Sequence, residues 1–194
     1  MVLTMETNVL AKPVVSEHSV ANSNEGMNLT YQIGDATQPE GEGPRIIVHV
    51  CNDVGGWGKG FVVAVSKRWR EPERRYRAWH RGEGGQPFKL GEVQFVQVEP
   101  DVWVANLIGQ HGMGVRNGVP PIRYEAVRDG LRAVAIKAKE LRTSVHMPRI
   151  GCGLAGGKWE EVEQIVREEL TATGIATTVY DLPQREAIGH RLTP

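Results

Sequence analysis

Apolar and polar positions along this chain follow two rhythms that take turns. LTYQI (residues 29–33) alternates residue by residue, the period of a strand with one buried face, and stops at Gly34-Asp35. IIVHVC (residues 46–51) is an apolar run, as expected of a strand covered on both faces. From Phe61 the rhythm changes: Phe61, Val62, Val65 and Trp69 recur at threes and fours, which predicts a helix. Pro72 opens a second, charge-rich helix to about His80, and the glycines around Glu83 break the chain. Residues 93–98 and 102–108 predict two strands joined by a Pro100-Asp101 turn. Tyr124, Val127, Leu131, Val134, Ala138 and Leu141 fall on one helical stripe. A short strand follows over 144–150. Trp159, Val162, Ile165, Val166 and Leu170 face one side of a last helix that Gly174 ends, and residues 176–180 form a β-branched final strand.

Strands alternating with helices predict an α/β domain with a largely parallel central sheet. Residues 1–27 have neither rhythm and are expected to be a flexible leader, with Met27 a candidate natural start; residues 183–194 are expected to be an exposed tail. One domain over residues 28–182 remains, which suits a chain of 194 residues.

Composition narrows the function classes. Lys plus Arg and Asp plus Glu both number 23, so the formal charge is zero, without the basic surplus of a dedicated nucleic-acid or membrane-surface protein. The two cysteines, Cys51 and Cys152, lie in apolar or glycine-rich segments with no Cys/His cluster around them. Free thiols, no metal site and no disulfide are expected. No apolar run is long enough to span a bilayer and no secretory signal opens the chain, so no membrane partner is expected and the cytoplasm is the expected location.

Two glycine-rich segments carry the chemistry: CNDVGGWGKG (51–60) and GCGLAGG (151–157). Each follows a predicted strand and precedes a predicted helix, the arrangement that aims backbone N–H groups and a helix N-terminus at an anion. Beyond the carboxyl edge of a parallel sheet, two such loops can clasp the two phosphates of a diphosphate. Neither matches the Walker pattern or the dinucleotide fingerprint, which disfavours kinases, GTPases and ordinary dehydrogenases.

Taken together, YQIGDAT, IIVHVCNDVGGWGKGF, NLIGQHG, MPRIGCGLAGGKWEEVEQIV and TVYDL resemble a macro domain over roughly residues 28–182. The similarity is to the branch of terminal ADP-ribose glycohydrolases and ADP-ribose 1″-phosphate phosphatase-like members. It implies a three-layer α/β/α fold with a mixed, largely parallel sheet, and ADP-ribose, ADP-ribosylated protein or nucleic-acid-linked ADP-ribose as the partner, without a cofactor. The activity it implies is hydrolysis of ADP-ribose from acidic side chains or similar ester-linked acceptors, with a non-catalytic reader or a 1″-phosphate phosphatase as the alternatives.

Carried over by position, the resemblance gives Asp35 the adenine amine, where an ionised carboxylate tells adenine from guanine. Capping of a neighbouring backbone N–H is the other role open to that residue. Gly58 and Gly60 match the first phosphate loop, with Lys59 directed at phosphate or at solvent. Gly151, Gly153 and Gly156 match the second, with Cys152, Leu154 and Ala155 between them; Cys152 has no basic partner in sequence to activate it. Tyr180 either lines the adenine pocket or is a core aromatic. Asn52 and Asp53 border the distal ribose, where they hold hydroxyls and orient a water toward C1″, or else close a turn. Well-known branch members use a lysine adduct and an aspartate, but those positions here are Gln110 and Ala155. A water-mediated route is therefore expected, with His111 beside Gln110 as the candidate base or as a solvated loop residue.

Overall fold

The computed structural model describes residues 29–83 and 85–183; the expected leader, and the expected tail beyond Pro183, lie outside the described residues. Six strands form one sheet: β1 (Leu29–Ile33), β2 (Arg45–Asn52), β3 (Val93–Glu99), β4 (Val102–Gln110), β5 (Ser144–Pro148) and β6 (Thr177–Asp181). The helices are α1 (Phe61–Arg68), α2 (Glu71–His80), α3 (Tyr124–Leu141) and α4 (Trp159–Glu169). Strand order is β1-β6-β5-β2-β4-β3, and all pairs are parallel except β3–β4. The mixed, largely parallel sheet between two helical layers agrees with the expected architecture.

The apolar run of β2 explains the layering. Ile46 and Val48 point into the larger core with Leu131, Val134, Val162 and Val166 of α3 and α4. Cys51 points to the other face with Tyr76 and Trp79 of α2, and His49 on that face meets the rings of Trp57 and Phe61. A strand buried on both sides has no solvent face to mark with polar residues.

Several boundaries differ from the sequence rhythm. Helix α4 gives way after Leu170 to a 3₁₀ turn (Thr171–Thr173), and Gly174 in the left-handed region caps that turn rather than α4. Strand β5 stops at Pro148, two residues before the expected end. Ile33, in the apolar phase of β1, is 70% exposed, because β1 is the sheet's outer strand. The second helix, expected from its charges, buries Tyr76 and Trp79 completely.

Parallel pairing puts the carboxyl ends of β1, β6, β5, β2 and β4 along one edge. Strands β2 and β5 are neighbours, yet the chain leaves β2 toward α1 and α2 on one face, whereas β5 is followed by α4 on the other. A crevice opens where connections part in this way.

Two buried histidines make stability depend on pH. His49 and His146 are 1% and 4% exposed. Burial, partly offset for His49 by hydrogen bonds to Asn106 Oδ1 and the Val50 backbone, and aided for His146 by the Arg45 charge, lowers both rings from 6.5 to about 4. With the folded value below the unfolded one, the unfolded chain takes up the protons first. Stability is full above the ordinary histidine value and is lost as pH falls from 6.5 toward 4. The loss approaches about 3 kcal/mol per ring at the bottom of that window. Urea unfolding should give a lower midpoint at pH 4.5 than at pH 7, and His49→Gln should flatten that dependence; equal midpoints would contradict it.

Candidate functional site

At the carboxyl edge lies a cleft of about 1390 Å³ bordered by both glycine loops. The loop after β2 brings Asn52 and Gly58, Lys59 and Gly60; the loop after β5 brings Gly151, Gly153, Leu154 and Ala155. Adjacency of β2 and β5 makes the loops neighbours, and a Cβ placed on Gly60 would stand 3.4 Å from Leu154 Cδ1. Gly60 has φ 79 and ψ −150, a conformation confined to glycine. It is followed directly by α1, which has no side-chain N-cap and no acid in its first turn. The Val63 amide turns back to Gly60 O at 3.1 Å, which leaves the Phe61 and Val62 amides at the start of α1 for an anion in the cleft.

At the other end of the cleft, Asp35 and Tyr180 both border it, with Gly34 between them. Asp35 Oδ1 accepts the Thr37 backbone N–H and the Thr37 hydroxyl, both at 2.9 Å, so capping and facing the cleft are not exclusive. Tyr180 is 4% exposed and its ring lies under Gly34.

The distal end is shaped by a bulge. Pairing of β2 with β4 jumps from Cys51–Ile108 to Asn52–Gln110, which turns both polar residues to the cleft edge. The Asn52 carboxamide is committed to its own loop: Nδ2 donates to Gly56 O at 2.6 Å, and Oδ1 accepts the amides of Gly56 and Val54 at 2.8 and 3.1 Å. Tyr76 supports it from below by donating to Asn52 O at 2.5 Å. Gln110 donates through Nε2 to Gly112 O at 3.0 Å.

Asp53 and His111 do not border the cleft but meet beside it. His111 Nδ1 lies 2.6 Å from Asp53 Oδ2, and the Gly112 amide donates to Oδ1 at 2.7 Å. Burial pulls the Asp53 carboxyl upward, but the Gly112 amide and His111 outweigh it and hold the group below the usual aspartate range. Cys152 and Gly156 also stay off the cleft wall. The Cys152 thiol donates to Ile150 O at 3.3 Å, and burial, partly offset by Arg149, raises it to about 11, so it stays protonated. Lys59 is exposed on the rim.

Sequence reasoning missed three groups at this cleft. Arg77 reaches the rim from α2, held by Glu73 at 2.9 Å and donating to Trp57 O at 3.2 Å. Arg149 stands directly before the second loop, paired with Asp181 through two bonds of 2.6 and 2.7 Å. Its position next to GCGL was the available signal. Met113 overlies the first loop, its Sδ 2.4 Å from where a Cβ on Gly56 would be.

No helix among the described residues is long and apolar enough to cross a membrane, and no His/Cys/Asp/Glu group among them is arranged to hold a metal ion. The chain matches no family model. It is 45% identical over 160 residues to the ADP-ribose glycohydrolase OARD1 of Bos taurus, covering 81% of this chain and 94% of that one. A solved macrodomain protein from Streptomyces coelicolor superposes with a TM-score of 0.71 at 58% identity, over 79% of this chain and 99% of that chain. The chromodomain-helicase-DNA-binding protein 1-like of Mus musculus is 31% identical over 82% of this chain, but the chain spans only 18% of that protein's length.

Proposed function

This chain belongs to the macro domain family, and from that premise we propose that it is an ADP-ribosyl hydrolase, removing mono-ADP-ribose from acidic side chains or similar ester-linked acceptors by attack of water at C1″. The observation that carries this reading is the convergence of the two glycine loops and the open end of α1 on one cleft. Backbone amides there suit a diphosphate, and Asp35, which borders the same cleft, is assigned the adenine amine.

Cleavage at an anomeric carbon needs a positioned water and stabilisation of oxocarbenium charge. The bound diphosphate supplies negative charge. His111 is the candidate base: with Nδ1 engaged by Asp53, its Nε2 is left to take a proton. Asp53 is then a positioning residue, and Asn52 holds the shape of the loop rather than the ribose. The cytoplasm is the proposed setting, supported by two free thiols.

A binding-only reader is the second reading, favoured by Gln110, whose amide is tied to Gly112, and by Ala155, a methyl group 4% exposed. Incubation with protein ADP-ribosylated on glutamate, alongside calorimetry with ADP-ribose, separates the two. Release of ADP-ribose is expected. Binding without release leaves a reader, release of phosphate from ADP-ribose 1″-phosphate alone makes it a phosphatase, and no binding at millimolar ligand removes the proposal.

A further inference from the structure

A buried hydrogen-bond chain behind the adenine end of the cleft is not used by the chemistry above. On β5, Ser144 Oγ lies 2.8 Å from His146 Nε2, and His146 Nδ1 lies 3.1 Å from the Tyr180 hydroxyl of β6. The same hydroxyl accepts the Glu40 backbone N–H at 3.0 Å. One arrangement of hydrogens satisfies every member: Glu40 N–H donates to the Tyr180 oxygen, Tyr180 O–H donates to Nδ1, and Nε2–H donates to Ser144 Oγ. It requires a neutral imidazole, which burial and the nearby Arg45 charge both favour.

The chain ends on the segment that carries Asp35. Residues 36–44 form neither helix nor strand and include Pro39 and two glycines of positive φ, Gly41 and Gly43. Such a stretch holds a single shape only when anchored. Arg45 fixes its far half, donating to Gly43 O at 2.9 Å and Pro39 O at 3.0 Å. Tyr180 fixes the middle at Glu40 and supports the start, because a Cβ on Gly34 would rest 3.5 Å from Tyr180 Cδ1. Thr37 ties the Asp35 carboxylate into the same segment. Choosing a purine through one carboxylate depends on placing it within a fraction of an ångström.

We propose that Ser144, His146 and Tyr180 form a latch that sets the position of Asp35, which makes His146 a specificity-determining residue although it does not border the cleft. The proposal rests on the reading of the cleft as an ADP-ribose site. It gives β5 a role in base choice and accounts for the histidine buried in that strand.

Two measurements test it. Hydrogen exchange of the Glu40 amide in ligand-free protein should quicken by about tenfold in Tyr180→Phe and in His146→Leu, and return toward the wild-type rate in His146→Gln, which keeps an acceptor and a donor. The ratio of affinities for ADP-ribose over its hypoxanthine counterpart should fall about tenfold in His146→Leu and recover in His146→Gln. If His146→Leu does not fold, Tyr180→Phe, which keeps the ring, carries both measurements. Unchanged exchange at Glu40, or an unchanged ratio in a protein that binds ADP-ribose, overturns the latch alone. A wild-type protein that ignores ADP-ribose overturns the cleft reading and the latch with it.

Discussion

Gly153→Glu should weaken ADP-ribose binding by about a hundredfold or more and leave the fold intact. Gly153 has an ordinary backbone conformation, is exposed, and has nothing within 4 Å of where a Cβ would stand, so the side chain enters without strain. Its carboxylate would project where the second loop meets the cleft, against the charge of a diphosphate. At about 4 Å and a surface-like dielectric, one like charge costs on the order of 4 kcal/mol, so a loss of about a hundredfold or more in affinity survives generous screening. The melting temperature should stay within about 2 °C, because exposed substitutions far from the core change stability little. Gly151 is the contrast. It has φ +72, and a Cβ there would stand 2.5 Å from Ile122 Cδ1, so Gly151→Ala should cost stability as well as affinity. Calorimetry and thermal unfolding on the two variants separate a glycine kept for the ligand from one kept for the backbone. Tight binding by Gly153→Glu would remove the diphosphate from the second loop.

What the rhythm of the sequence reveals is what depends on burial alone. Strand β2 is legible because both of its faces are apolar, and α3 because one stripe is. The glycine loops are legible because a strand, a flexible turn and a helix follow one another directly. Helix α2 shows the limit. Its two buried rings, Tyr76 and Trp79, stand among charged residues, and the ring that covers both, Phe88, comes from the segment after the chain break. Asn52 shows another. An amide at that position suits a ribose or a turn equally, and only the folded loop directs it to Gly56. The pairing of Asp53 with His111 spans 58 positions and exists because β2 and β4 pair with a bulge at their ends. No local spacing encodes that.

That pair carries the second large effect. His111→Ala should lower kcat by about two to three orders of magnitude, the usual contribution of a positioned base, with ADP-ribose affinity nearly unchanged because the ring stands off the cleft wall. Asp53→Asn should act through the ring rather than through the ligand. An amide in place of Oδ2 would donate to Nδ1, forcing the proton onto Nε2 and removing the lone pair that takes the water's proton. Its kcat should fall by about one to two orders, and the double variant should be no slower than His111→Ala, since both changes remove one device. The sign of the pH dependence follows from Asp53. Its carboxyl is held below the ordinary aspartate value, so it remains ionised as pH falls past the point where a free aspartate protonates. An acid limb in the wild-type kcat profile at or above the ordinary aspartate range therefore does not come from Asp53. Wild-type turnover in both single variants would leave the bound diphosphate to activate the water by itself, and the base would have no protein residue.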